Sequence, residues 1–509
     1  MKRKQIVSRR TFLRTSAFAS LAAGTTAALG QLGYGGIGFC AQDEPAEPDS
    51  FSATSAATSA ATHSPPNIIL INADDLGYGD LGCYGTKAIS TPNIDRLAQE
   101  GVRFTEFYSC NAICSPSRLG LLTGRYPRRA GMHGVLFPEK AALGDKALRA
   151  LGQAMDKLGV IDLGAPSEID GIPADEVTLA EALKNVGYRT GMVGKWHLGD
   201  FVEIPEYNPL NHGFDSFFGV PYSNDMKPFP LCRDREVIEK QIEDQTKLTG
   251  LYTKEAIEFI ERSKDNPFFF YFAHSFPHQP LYASEDFHGK SVGGRYGDTV
   301  EEIDWSVGEL LACLEKNGLD KNTLILFTSD NGPWYNGSPG GLRGRKGQSY
   351  EGGFRVPMIA HWPERIARGG VCDEASMNID LFPTFLALAG AKAPADRIID
   401  GKNIEGLLTG EADETPHEAL YFYHHERLEG VRAGKWKFYR EINTYVYPIP
   451  VDKKLPSPGK GPMLYDLETD PDESYNLYSN HPDVAKKLSD MMGEWEKNLE
   501  ANPRGWIDK

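Results

Sequence analysis

The sequence predicts an α/β fold: a large mixed, mostly parallel sheet sandwiched between helices, with a small α+β unit at the C-terminus. Three observations predict it. Continuous apolar runs such as "NIILINAD" (67–74) and "TLILFTSD" (323–330) end in acidic residues, as parallel strands buried on both faces do. Amphipathic segments with helix-start and helix-stop residues separate those runs, which is the alternation of an α/β sandwich. After about residue 415 the rhythm changes to short β-like pieces and one closing helix.

The elements follow in chain order. Residues 1–30 read as an export signal: Arg9 and Arg10, then Phe12 and Leu13, then a mildly apolar Ala/Gly/Thr run. This resembles a twin-arginine leader, with Ala28-Leu29-Gly30 as a small-x-small cleavage site, and it predicts a periplasmic or extracellular protein. The run is too short and too rich in Gly and Thr for a spanning helix. Residues 31–65, rich in Ser, Thr, Ala, Pro and acids, read as a disordered linker. The main domain is expected over 66–414 and the C-terminal subdomain over 415–509.

Within the main domain, "TPNIDRLAQEG" carries Thr91 as N-cap, Pro92 at the first helical position and Gly101 as stop. "TLAEALKNVGY" carries a capping box, Thr178 with Glu181, and stops at Gly187. Strands "RTGMVGKW" (189–196) and "PFFFYFAH" (267–274) flank the helix "YTKEAIEFIERSK" (252–264), and "VEEIDWSVGELLACLEKNG" is a further helix. "ALYFYHHE", "EGVRAG" and "WKFYRE" predict a small antiparallel sheet, and "HPDVAKKLSDMMGEWEKNLE" a closing helix.

The 509 residues are 40% hydrophobic and 24% charged, an ordinary globular composition. A formal net charge of -16 opposes nucleic-acid binding, and an anionic substrate would need a local basic cluster to overcome that field. The seven cysteines, odd in number and widely spaced, form neither a disulfide framework nor a zinc site.

The candidate chemistry sits at strand ends, because ligands of open α/β sheets bind outside the carboxyl edge. Asp74-Asp75 and Asp330-Asn331 each close an apolar strand, and Gly77 and Gly332 are expected to supply the turns that let both members converge. Four hard oxygen ligands suit Ca²⁺ or Mg²⁺, although "DD" before glycine and "SDNG" also occur as plain turn chemistry. In "MVGKWHLGD", Lys195 and His197 would share one face of an extended segment. His278 lies in a loop between Pro277 and Pro280, and Arg343, Arg345 and Lys346 form a glycine-rich basic loop fit to surround an anion. Taken singly, each of these reads more readily as a surface charge or a satisfied histidine than as a site residue, and His274, His361, Arg343 and Arg345 are assigned that structural role.

Cys114-Ser115-Pro116-Ser117-Arg118, with the following "LGLLTGRYP", resembles the signature of the type I, formylglycine-dependent sulfatases. The resemblance continues in family order through "NADDLGYGDLGCYG", "GKWHLG", "FTSDNG", "EGG" (351–353) and "LYDLETDPDESYNL" (464–477). "HGFDSFFGVPYSND" (212–225) looks closest to the arylsulfatase A and N-acetylgalactosamine-6-sulfatase branch.

The resemblance implies an alkaline-phosphatase-like fold and hydrolysis of sulfate monoesters, those of sulfated carbohydrates above all. It implies that Cys114 is oxidised to Cα-formylglycine by a maturation enzyme, and that one Ca²⁺ (Mg²⁺ as the lesser choice) is held by Asp74, Asp75, Asp330, Asn331 and residue 114. Arg118 would then pair with the hydrate oxygens, Lys195 and Lys346 would bind sulfate, His278 would protonate the leaving alkoxide, and His197 would assist hydrate breakdown. The export machinery is the other implied partner. The rival readings are a phosphomonoester or phosphonate hydrolase of the same superfamily and an inactive glycan-binding relative.

Overall fold

The computed structural model describes residues 64–140, 167–442 and 461–507, and the export signal, Cys40 and the linker up to residue 63 fall outside the described residues. Strand β1 (Asn67–Ala73) is buried along its whole length. Its even and odd residues feed two separate cores: Ile68 and Leu70 one, Ile69 and Ile71 the other. That is why its sequence is continuously apolar rather than alternating.

The remaining strands of the main sheet are β2 (Val102–Phe104), β4 (Arg189–Lys195), β5 (Ser216–Val220), β6 (Leu231–Arg233), β7 (Glu236–Glu239), β8 (Phe268–Ala273), β9 (Thr323–Ser329), β10 (Met358–His361) and β11 (Gly370–Cys372), with the short β3 (Phe107–Tyr108) and β12 (Ser376–Met377) pairing apart. Among the described residues the main sheet has ten strands, in the order β11-β2-β10-β9-β1-β8-β4-β5-β6-β7. The central run β9-β1-β8-β4-β5 is parallel throughout, and the outer pairs are mainly antiparallel.

Helices cover both faces. On one lie α1 (Pro92–Glu100), α4 (Leu248–Ser263) and α5 (Gly294–Lys316), contributing Leu97, Phe259 and Leu310 to the core. On the other lie α2 (Cys114–Thr123), α3 (Leu179–Lys184) and α6 (Leu381–Leu388), contributing Leu121, Leu183 and Phe385. The capping box on α3 forms as its sequence dictates, Thr178 accepting from the Glu181 N–H.

The cap expected for α1 does not form. Thr91 accepts from Gly82 N and donates to Asp95, and the free N–H groups of Asn93 and Ile94 donate instead to Asp304 of α5. A buried carboxylate at a helix N-terminus meets the same orphan donors and the positive end of the dipole.

The late strands β13 (Leu420–His424), β14 (Arg427–Ala433), β15 (Trp436–Tyr439) and β16 (Met463–Asp466) form a separate antiparallel sheet, on which α7 (Pro482–Ala501) packs Leu488 and Met492. No helix among the described residues is long and apolar enough to cross a membrane.

Candidate active site

Register decides what meets at the carboxyl edge. Ala73 of β1 lies beside Ser329 of β9, so Asp74 and Asp330 leave adjacent parallel strands at the same level. Gly194 of β4 pairs with Ala273 of β8, which brings Lys195 to that edge as well. Asp75 joins them through its own backbone. Its φ of 65° lies in the left-handed region, so the Asp pair turns at Asp75 and not at Gly77.

The expectation that Gly77 and Gly332 supply the turns is therefore corrected. Neither has a positive φ. They are glycines because a Cβ would lie 2.2 Å from Ser338 O or 2.0 Å from Gly352 O. The expected shared face of Lys195 and His197 is corrected too. His197 lies beyond the end of β4 with a φ of 61°, and this second left-handed residue swings the imidazole into the site. Non-glycine residues held in this region cost energy and gather where surroundings over-determine them, as at functional sites.

Helix α2 begins at Cys114 itself, two residues earlier than an initiation after it at Pro116 would give, and all ten of its residues are buried. Arg118, four residues on, lies on the same face. Its Nε donates to Asp330 Oδ2 at 2.9 Å, its Nη1 donates to Lys195 O at 2.9 Å, and Nη2 stands 3.6 Å from Asp74 Oδ1. Lys195 Nζ donates to Asp74 Oδ2 at 2.6 Å, and Lys346 Nζ to Asp75 Oδ2 at 2.8 Å. Asn331 Nδ2 donates to Asp75 Oδ1 at 2.7 Å, and His278 Nε2 is 3.7 Å from Asp75 Oδ2. His197 Nε2 donates to the carbonyl of Leu136 at 3.0 Å, which leaves Nδ1 buried with its lone pair free. Every predicted site residue is thus in one buried cluster.

The expected basic loop is not one. Arg343 stacks on Tyr350, 4.1 Å from the ring centre, and donates to Glu473 O. Arg345 braces its own loop through Trp334 O and Gly337 O. Lys346 alone of the three reaches the acidic pair. His274, buried on β8's extension, and His361, 3.7 Å from Glu100, stand away from the cluster's hydrogen bonds, but His274 is not the satisfied histidine expected, since neither of its ring nitrogens has a partner among the described residues.

Electrostatics follow the geometry. Burial would raise Asp74, but Lys195, His278, Arg118 and Lys346 together hold it well below the usual carboxylate range. Burial pushes Asp330 up to about 6, helped by the charge of Asp74 and opposed by Arg118. Burial lowers both His197 and His278, and neighbouring ammonium groups lower them further. Burial likewise raises the Cys114 thiol, so an unmodified side chain there is a protonated, poor nucleophile at neutral pH.

The residues fit a hard divalent cation. Ligand atoms of Asp74, Cys114 and Asp330 lie within 4.8 Å of one another, as do those of Asp75, Cys114 and His278, and Cys114 belongs to both groups. Asp74 Oδ1 and Asn331 Oδ1 are buried acceptors with no hydrogen-bond donor among the described residues. Such orphans are costly unless a donor or a cation fills the space, and a hard cation satisfies both oxygens at once. Three carboxylates already face three cations here, so a divalent ion would leave the cluster net positive and ready for an anion.

A protein-family model described as Sulfatase matches residues 66–391, and one described as N-sulphoglucosamine sulphohydrolase, C-terminal, matches residues 345–498. The chain belongs to the sulfatase family. It is 42% identical over 398 residues to N-acetylgalactosamine-6-sulfatase of Rattus norvegicus, covering 73% of this chain and 71% of the relative. It is 39% identical over 476 residues to arylsulfatase A of Bos taurus, covering 86% and 88%.

Among solved structures, that of Ps i-CgsB superposes with a TM-score of 0.70 at 29% identity, covering 87% of this chain and 95% of that one. A phosphonate monoester hydrolase of Agrobacterium radiobacter shares the fold, with a TM-score of 0.57 at 18% identity over 85% of this chain and 96% of that one. The architecture of this sulfatase is accordingly alkaline-phosphatase-like, and its activity is that of a sulfuric ester hydrolase.

Sequence reasoning missed three parts of the site. These are the Leu136 carbonyl that holds His197, the left-handed Asp75, and Asn224, which bonds His278. Asn224 lies inside the "PYSND" stretch already noted in the sequence, but nothing in that stretch shows which side chain it would meet.

Proposed function

We propose that this sulfatase hydrolyses sulfate monoesters of carbohydrates, with residue 114 acting as a formylglycine hydrate and one Ca²⁺ in the site. The observation that carries the reading is the position of Cys114, at the first turn of α2 and within reach of both acidic groups and Lys346. Its Sγ stands where the hydrate oxygens of the modified residue would be.

Asp74, Asp75, Asp330 and Asn331 would hold the metal together with an oxygen of residue 114. The ion, when bound, adds positive charge that acidifies a hydroxyl and polarises a sulfate oxygen. Lys195, Lys346 and the N–H groups opening α2 neutralise the approaching sulfate. One hydroxyl of residue 114 gives its proton to the Asp330 carboxylate and attacks sulfur, the ester S–O bond breaks, and His278, as the imidazolium, gives its Nε2 proton to the departing alkoxide. His197 Nδ1 then takes the proton of the second hydroxyl. The C–O bond to sulfate breaks, the aldehyde returns, and water re-forms the hydrate. The local cations outweigh the acidic exterior because nearby buried charges act through a lower dielectric than distant, screened ones.

A carbohydrate substrate is supported by the relatives' names and by Ps i-CgsB, which has been solved with k-i-k-neocarrahexaose. We assign residues 66–414 to the catalytic domain and 415–509 to a C-terminal subdomain, with residues 1–30 as a twin-arginine export signal and a maturation enzyme as an obligate partner. The deciding experiment compares an aryl sulfate, an aryl phosphate and a panel of sulfated saccharides on the mature enzyme. Turnover of the sulfate, lost with EGTA and restored by Ca²⁺, is expected. Preference for the phosphate would place the chain with the phosphoryl hydrolases, and no turnover of either would make it a binding relative.

A further inference from the structure

His278 is held from behind by an amide pair whose orientation the surroundings dictate. Its Nδ1 is 2.6 Å from the carbonyl of Gln279 and 3.0 Å from Asn224 Oδ1. The Asn224 amide cannot be turned round. Its Nδ2 donates to the carbonyl of Pro280 at 2.8 Å, to that of His278 at 3.4 Å and to Gln245 Oε1 at 3.1 Å, while Gln245 Nε2 donates back to Asn224 O at 2.9 Å. Backbone carbonyls only accept, so Nδ2 must face them and Oδ1 must face the imidazole. Both Asn224 and Gln245 are buried, which makes a flipped amide with unpaired groups expensive. The imidazole therefore carries a hydrogen on Nδ1 in either protonation state, and Nε2 is the nitrogen turned toward Asp75 and residue 114.

We infer that Asn224, locked by Gln245, is a positioning residue for the leaving-group acid: with the Gln279 carbonyl it fixes which nitrogen of His278 faces the substrate, and it clamps the 278–280 loop that carries the ring. The inference rests on the role proposed for His278. A partner behind a functional imidazole sets its tautomer and aim, and loosening it loses part of what the aimed group contributes.

The test uses the mature enzyme with two substrates. A sugar sulfate has an alkoxide leaving group that needs a proton, whereas 4-nitrophenyl sulfate expels a stable phenolate that does not. Asn224→Leu should lower kcat on the sugar sulfate on the order of tenfold, a fraction of the 10²–10⁴ that a general acid supplies. Its KM should hold, and turnover of the nitrophenyl ester should stay near wild type. Gln245→Leu, which removes one brace of the Asn224 amide and leaves the carbonyls of Pro280 and His278 in place, should show the same leaving-group selectivity at smaller size, and it serves if Asn224→Leu does not fold. An equal fall on both substrates would reduce Asn224 to a structural residue and overturn the inference, as would no fall on either. His278→Ala separates the two levels. If it spares the sugar sulfate, the acid role of His278 fails, and Asn224 has no acid to position.

Discussion

At the carboxyl edge of the large sheet, Asp74, Asp75 and Asp330 face Arg118, Lys195 and Lys346; beneath the small sheet, Glu106, Glu351 and Glu473 face Lys437, Arg355 and Arg432. Both clusters are buried and balanced in formal charge, yet they are finished differently. Glu351 Oε1 accepts from Lys437 at 2.6 Å, and Oε2 accepts from Tyr108 at 2.7 Å and from Arg355 at 3.2 Å. Glu473 accepts from the Glu351 N–H and from Tyr439, so each of its oxygens is used. In the site cluster Asp74 Oδ1, Asn331 Oδ1 and His197 Nδ1 are left without partners. A complete buried network rigidifies the structure, and an incomplete one costs free energy unless a ligand completes it. Charge burial alone does not distinguish these two clusters; the state of their hydrogen bonding does.

The largest effect expected from this contrast is at residue 114. Cys114→Ala should abolish turnover while changing unfolding free energy by no more than about 1 kcal/mol, since a small side chain is trimmed. Cys114→Ser is the sharper probe. A serine can still attack sulfur, but its sulfate ester has no second hydroxyl to drive elimination, so mass spectrometry should find one trapped sulfate per chain and no second turnover. Near wild-type turnover by that variant would refute the hydrate mechanism.

The finished cluster should respond in the opposite way. Lys437→Met leaves Oε1 of the 0% exposed Glu351 without a donor and leaves the carboxylate to Arg355 and Tyr108 on Oε2. The expected loss is about 3 kcal/mol of stability, the low end of the usual penalty for breaking a buried ion pair. Turnover per folded molecule should hold. Denaturant titration and active-site-normalised kcat check the two halves, and a variant with wild-type stability but depressed kcat would erase the distinction between the clusters.

The same contrast explains what the sequence could reveal. The strands of the parallel centre were legible because both faces are apolar, so β1, β8 and β9 stand out as runs without alternation. Asp74, Asp330 and Lys195 were legible because strand ends announce the edge where ligands bind. The finished network was not legible. Lys437 and Glu351 are 86 residues apart, and neither "WKFYRE" nor "EGG" shows which partner its charged residue would meet. Asp304 caps α1 from 210 residues away, displacing the local threonine that the helix rules favour. Asp75 and His197 adopt a backbone region that composition assigns to glycine, because their neighbours impose it. Local rules locate the elements; partners distant in sequence complete them.

The smallest effect sharpens the comparison through pH. Burial pushes the Glu473 carboxyl up to about 7, against the charge of Lys437 and aided by that of Glu351. In the unfolded chain a glutamate titrates near 4.3. Between roughly pH 4.5 and 7 the unfolded state has therefore released a proton that the folded state keeps, and stability must fall as pH rises through that window. The contribution is fully present below it and lost above. Glu473→Gln cannot titrate, so it lacks this loss. The unfolding free energy of the wild type, less that of the variant, should shrink by on the order of 2 kcal/mol from pH 4.5 to 7.5, measured by denaturant titration at each pH. A flat or widening difference would mean that Glu473 is ionised throughout, so that Lys437 answers two full negative charges. The cluster beneath the small sheet would then carry three negative charges against three positive, the same count as the site, with none relieved by a retained proton.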